Sequence, residues 1–164
     1  MKRAVTFPIK GAQKTALAPV TVTEGEYVFP SREQFEALSI DREGIERVAA
    51  PVAEEELKKL EPRYVRDKRK VIEYAELASE EPIVANAVLA PSFLSLFTKT
   101  LGEKVLLVVP SRYKAYVFPA AASRYQEYWP MVFEAYRATA FPVSVEVFEI
   151  SDNGMRAVGI YEEP

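Results

Sequence analysis

The sequence predicts an α+β fold: one compact domain in which an antiparallel or mixed sheet of about six to seven strands is covered by helices, with a ββαββ order at the C-terminal end. Three observations carry that prediction. Short runs rich in Val, Ile, Tyr and Phe alternate along the chain with segments of helical spacing. Adjacent β-rich runs are joined by links short enough for hairpins, which makes antiparallel pairing the default. The chain has 164 residues, 49% of them apolar, enough for one core without disulfide or metal staples.

In order, a strand is expected at 3 to 7, then a polar loop from Lys10 to Ala16. Pro19-Val20-Thr21-Val22-Thr23 turns through Glu24-Gly25-Glu26 into Tyr27-Val28-Phe29, a hairpin. Ser31 caps a short helix through Leu38, with Glu33 and Gln34 in its first turn. Asp41 opens a longer helix whose apolar face is read as Ile45, Val48, Val52 and Leu57, interrupted near Pro51 and ended by Pro62.

After a charged connection over 63 to 70, Val71 to Leu77 reads as a strand. A helical stretch begins at Ser79 and Pro82 and is reset at Pro91. Phe93, Leu94, Leu96, Phe97 and Leu101 then form a broad apolar face closed by Gly102. Val105 to Val109 is too uniformly apolar to be half exposed, so it is read as a central strand buried on both faces. Pro110-Ser111-Arg112-Tyr113-Lys114 turns it into Ala115 to Phe118. A helix from Ser123 to Ala138 follows, with Tyr125, Tyr128, Trp129, Val132, Phe133 and Tyr136 recurring at three- and four-residue spacing. Val143 to Ile150, the turn Ser151-Asp152-Asn153-Gly154 and Met155 to Tyr161 give the strongest hairpin signal.

One echo runs through the chain: Tyr27-Val28-Phe29-Pro30 before Ser31-Arg32, and Tyr116-Val117-Phe118-Pro119 before Ser123-Arg124. It suggests a weak ββαβ repeat over about 4–77 and 88–161. Pro followed by Ser is also simply a good way to leave a strand and start a helix, and that plainer account is preferred.

Composition excludes more chemistry than it suggests. There is no His and no Cys, so there is no imidazole base, no thiol nucleophile, no disulfide and no thiolate or imidazole metal site. Asp41, Asp67 and Asp152 are the only aspartates and lie far apart, which leaves no hard-metal cluster. A formal charge of −3 argues against a nucleic-acid footprint over the whole surface. The opening Met1-Lys2-Arg3 and the short apolar run after it do not resemble a signal peptide, and no run is long enough for a membrane span. A cytoplasmic bacterial-type protein without cofactor or metal is expected.

Phe93-Leu94-Ser95-Leu96-Phe97, then Val105 to Pro110, a second strand, an aromatic helix and Phe141-Pro142-Val143-Ser144-Val145 before a terminal hairpin together resemble the C-terminal half of the YtpQ-like bacterial family, a domain of unknown function. The hairpin at 20 to 29 and the helices through Leu57 are similar in order, more weakly. The resemblance implies one mixed domain and supplies no catalytic residues.

Four features are weighed for chemistry. Arg63, Arg66, Lys68, Arg69 and Lys70, interleaved with Tyr64, have the make-up of an anion or nucleic-acid contact, and Lys68 and Lys70 would form a stripe if they shared the outer face of the next strand. A solvated connection to an edge strand explains them as well and is preferred. Arg112, Tyr113 and Lys114 bring two cations and a phenol to a sheet end, a candidate ligand contact or a plain polar turn. Glu54, Glu55 and Glu56 point in different directions on a helix and read as a solvated face, not an acid–base pair. The aromatic helix carries more large side chains than one sheet face needs, which favours binding over catalysis. Trp129, with Tyr125, Val132 and Tyr136, is expected over the strands at 105–109 and 143–150.

The resulting expectation is a non-catalytic domain acting through a protein partner or as a homo-oligomer. Nucleic acid and membrane are not expected partners. The alternative is an enzyme or binding protein for an anionic small molecule or nucleic acid, using Arg112, Lys114 and the 63–70 stretch.

Overall fold

The computed structural model describes residues 4–24, 26–121 and 124–164. In chain order the elements are β1 (Phe7–Pro8), β2 (Ala16–Leu17), β3 (Thr21–Thr23), β4 (Glu26–Val28), α1 (Arg32–Ala37), α2 (Arg42–Lys58), β5 (Arg63–Arg66), β6 (Ile72–Ala78), α3 (Val84–Ala87), α4 (Phe93–Leu101), β7 (Val105–Ser111), β8 (Lys114–Pro119), a 3-10 turn (Tyr125–Tyr128), α5 (Trp129–Arg137), β9 (Glu146–Ser151) and β10 (Gly154–Ile160). The fold is α+β. A six-stranded sheet, ordered β10-β9-β7-β8-β6-β5 and antiparallel throughout, carries the domain, and two short ribbons, β1–β2 and β3–β4, stand outside it.

Alternation along β7 and β8 divides the core into two layers. Val105, Leu107, Val109, Ala115 and Val117 face Ala53 and Leu57 of α2, Val84 and Ala87 of α3, and Phe93, Phe97 and Leu101 of α4. Leu106, Val108, Tyr116 and Phe118 face Val132 of α5, Val147 and Tyr161. Every residue of β7 is buried, as its uniform apolar run predicts. Pro110 is tolerated in this central strand because the β7–β8 register shifts between Val108 and Ser111, where no ladder donor is needed.

Both predicted caps are present. The Ser31 hydroxyl accepts from the Gln34 amide while the Gln34 side chain accepts from the Ser31 amide, and Asp41 accepts from the Gly44 amide. Gly102, at φ +106°, ends α4.

Several expectations are corrected. Strand 3 to 7 shrinks to Phe7–Pro8, and its partner Ala16–Leu17 lies at the end of the expected polar loop. Residues 1–3 lie outside the described residues. Helix α2 continues through Pro51, and Arg47, whose carbonyl loses its helical donor, is exposed, so that carbonyl is not buried without a partner. The buried face of α2 is Ala53 and Leu57, while Val48 and Val52 are 68% and 50% exposed. The stretch over 63–70 is not a connection to a strand but half of a hairpin: Arg63–Arg66 is edge strand β5, and the register sets Arg63 opposite Glu76. Lys68 and Lys70 therefore occupy the turn and share no strand face. The helical stretch from Ser79 reduces to the single turn Val84–Ala87. The expected helix 123–138 is a 3-10 turn followed by α5, because Pro130 suits only a first helical turn. Ser123, the first residue of the expected helix, lies outside the described residues. Strand β9 begins at Glu146; before it, the Val143 and Ser144 amides donate to Pro110 O and Val109 O at the end of β7.

Candidate functional site

The turn at Arg112, Tyr113 and Lys114 is built into the fold as an anchor. The Arg112 guanidinium lies 4.4 Å from the centroid of the Tyr27 ring and 4.7 Å from that of Phe141, a cation held between two aromatic faces. Its carbonyl accepts from the Val84 amide at 2.9 Å, and the Tyr113 carbonyl accepts from the Ser79 amide at 3.0 Å. The Tyr27 hydroxyl donates to Pro82 O. One turn thus ties the β3–β4 ribbon, the approach to α3 and the loop before β9 to the sheet. Lys114 opens β8 opposite Ala78 and Ser111.

Beside this anchor Glu56 accepts from Asn86 Nδ2 at 2.6 Å, and burial pushes its carboxyl above the ordinary value despite that bond. Burial, and then the Glu56 charge, also push the Tyr27 phenol up, with Arg112 opposing. Tyr27, Arg112, Glu56 and Asn86 are each engaged by a structural neighbour, so the cluster locks elements together. Glu54 has the same character: its two carboxylate oxygens accept from Ser92 N at 2.8 Å and Ser92 Oγ at 2.5 Å, which caps α4 from α2. Those bonds hold the Glu54 carboxyl below its ordinary value. The expectation of a solvated glutamate face holds for Glu55, paired with Lys58 at 2.9 Å, and fails for its two neighbours.

The basic stretch is split by the hairpin. Arg63 pairs with Glu76 at 3.2 Å, Arg66 donates to Lys70 O, and the Tyr64 hydroxyl meets Thr100 Oγ1 at 3.0 Å. Asp67 accepts from the Arg69 and Val71 amides, so Lys68, Arg69 and Lys70 stand exposed on an ordered tip.

On the other sheet face Val132 is the residue of α5 that is fully buried. Tyr74, Tyr116, Phe118 and Tyr128 form a ring cluster with centroids 5.2–5.9 Å apart. Burial raises the Tyr128 phenol to about 12, with a hydrogen bond to Glu73 adding to it, and pushes Tyr116 and Tyr161 up as well. Trp129 is only half buried, packed at the rim with Phe133, and Tyr136 lies outside the cluster. The expected interface is therefore centred on Val132, with Trp129 at its flank.

Two features that the sequence reading did not single out complete the surface. The first is a clasp. Glu146, 3% exposed, accepts from the Gln13 amide at 2.8 Å, the Lys14 amide at 3.2 Å and Thr15 Oγ1 at 2.5 Å, and Thr15 and Ser144 hydroxyls meet at 2.6 Å. Burial opposes this charge, but the donors outweigh it and hold the carboxyl below its ordinary value. The clasp fixes residues 9–17 as a strap across β10, where the Ala157 amide donates to Lys10 O at 2.8 Å. Gly11 passes so close that a Cβ would lie 2.8 Å from Ala157 O, at φ +77°, which requires glycine twice over.

The second is an exposed apolar face on the β3–β4 ribbon. Val22 lies opposite Tyr27 in the register and shares its face. Val22 is 55% exposed, Phe29 45% and Phe141, on the far side of Arg112, 46%. The V-T-V-T alternation over 20–23 was the signal available for this face.

Among the described residues no group of three or more Asp or Glu is placed to hold a metal ion, and no helix is long and apolar enough to cross a membrane. No family model, curated protein or solved structure matches this chain, so the functional reading rests on the fold and its surface.

Proposed function

We propose that this chain is a non-catalytic, cytoplasmic protein-interaction module, akin to the YtpQ-like domains, that associates with a second copy of itself through the β3–β4 ribbon. One observation carries the reading: a two-stranded ribbon with exposed Val22, followed at once by exposed Phe29, stands outside the main sheet, tied to it by the Tyr27–Arg112–Phe141 sandwich. An isolated two-stranded hairpin is marginal in water, and clustered apolar side chains on its face favour a partner over solvent. A ribbon offers the same face to an identical ribbon, which is the geometry of a two-fold interface.

Sedimentation velocity over a wide concentration range tests this. The native chain should show a concentration-dependent dimer, and the pair Val22→Asp and Phe29→Ser should sediment as a monomer with an unchanged melting temperature. A native chain that stays monomeric throughout, or a double variant that dimerises equally well, removes the reading.

A further inference from the structure

At the opposite edge of the sheet from the basic tip, a hollow of about 300 Å³ opens between the strap and the β9–β10 hairpin. Three cations line it, Lys10, Lys104 and Arg156, against one carboxylate, Glu149. Arg156 stands directly across from Glu149 in the β9–β10 register. Its Nε and Nη2 both approach Glu149 Oε1 at 3.0 Å, and Lys104 Nζ lies 3.9 Å from the same oxygen. Glu149 is the least exposed of these groups, 16% against 53% for Arg156 and 52% for Lys104. The carboxylate thus sits beneath Arg156 and Lys104 and fixes their direction, while the side chains lining the hollow keep an excess of two positive charges, partly offset by exposed Asp152 on the adjoining turn. Ser151 and Asn153 add side-chain donors at the rim, on a turn ordered by the Asn153 amide bond to Ser151 Oγ.

We propose that this hollow is a binding site for the phosphate group of a small phosphorylated molecule. The cations are of the types that hold phosphate, Arg in a planar fork and Lys as a point charge. A volume of about 300 Å³ is at the lower end of pockets that bury a small ligand, larger than a bare ion requires. The site is concave and its charge is gathered around one point, which suits a compact anion; an extended polyanion would be served by the convex tip at Lys68, Arg69 and Lys70. Lys10 reaches the hollow because the strap is docked, through its own carbonyl on Ala157 and the Glu146 clasp three to five residues on.

Titration of the full chain with inorganic phosphate and with glycerol phosphate, at constant ionic strength against chloride and followed by amide chemical shifts, tests the site. Saturable binding should move amides of 151–156 and 104. Lys104→Ala with Arg156→Ala should weaken it by about tenfold or more. Glu149→Gln, which removes the internal counter-charge with little change of shape, should tighten it several-fold and serves if the double variant does not fold. Replacing Lys68, Arg69 and Lys70 with Ser should leave it unchanged. Tighter binding of glycerol phosphate than of phosphate marks a small-molecule site, and the reverse overturns that part of the proposal. A response that does not saturate, that chloride reproduces, or that disappears with the tip cations while surviving Lys104→Ala and Arg156→Ala overturns the site.

Discussion

Strand β7 and the β3–β4 ribbon are the two extremes of this molecule. All seven residues of β7 are buried, whereas none of the six in the ribbon is. The sheet is held by what it removes from water: a fully buried aliphatic or aromatic side chain contributes roughly 1.5–3 kcal/mol. The N-terminal elements are held by a few polar and aromatic ties, namely Glu146 on the strap, Arg112 between Tyr27 and Phe141, and Arg42 Nη1 on Pro8 O at 3.0 Å. The two regions should therefore fail differently, the sheet as one cooperative unit and the N-terminal elements locally, each when its own tie is cut.

The largest effect that separates them is expected in the sheet. Phe118 is completely buried in the ring cluster, so Phe118→Ala should cost about 3–5 kcal/mol and shift the whole denaturant transition. If only part of the protein responds, with far-UV and near-UV signals melting apart, the sheet is not a single cooperative unit.

Trp129→Ala is the next step down. Its ring is half buried at the rim of the α5 layer, so the loss should be about 2 kcal/mol, clearly less than at Phe118. A cost equal to that of Phe118→Ala would restore Trp129 to the centre of the interface.

What the sequence reveals divides along the same line. Val105 to Val109 discloses its burial because no half-exposed strand tolerates five consecutive aliphatic residues, and Ser151-Asp152-Asn153-Gly154 discloses the terminal hairpin because such residues supply the turn. The capping pairs at Ser31 and Asp41 are equally local. The N-terminal ties are not local. Glu146 meets Gln13 across 133 residues of chain, and nothing around Glu146 in sequence distinguishes it from the exposed glutamates. Arg112 looks like a free cation in a polar turn until the ribbon brings Tyr27 to it. Likewise Lys10, Lys104 and Arg156 lie on three separate segments, so no motif announces the hollow that they share.

Cutting the clasp sharpens the contrast. Glu146→Gln keeps the shape but gives up the charge that three strap donors address, and should cost about 1–2 kcal/mol. Hydrogen exchange should rise at residues 10–17 and not in β7. The pH dependence has a definite sign. The carboxyl lies below its ordinary value in the folded strap and returns to that value, about 4.3, when the strap detaches. The clasp is at full strength above that value and weakens as pH falls through the lower folded one. Strap exchange that is flat across this acid range, after correction for intrinsic rates, would contradict the clasp.

The smallest effect belongs to Arg112, and it discriminates best because charge and shape can be separated there. Each ring face on the guanidinium is worth about 0.5–1 kcal/mol at a partly exposed position, so Arg112→Ala should cost about 1–2 kcal/mol. Arg112→Lys retains the charge but replaces a planar group that stacks on two rings by a compact ammonium on a flexible stem. If the sandwich anchors the ribbon, Lys should rescue less than half of the loss, and amides of 21–28 should exchange faster in both variants while β7 stays protected. If Lys restores the native exchange pattern in full, a positive charge is all that this position requires. Stacking of a planar group between two rings is then not what holds the ribbon, and the division between a buried sheet and tied N-terminal elements loses the geometry of its main tie.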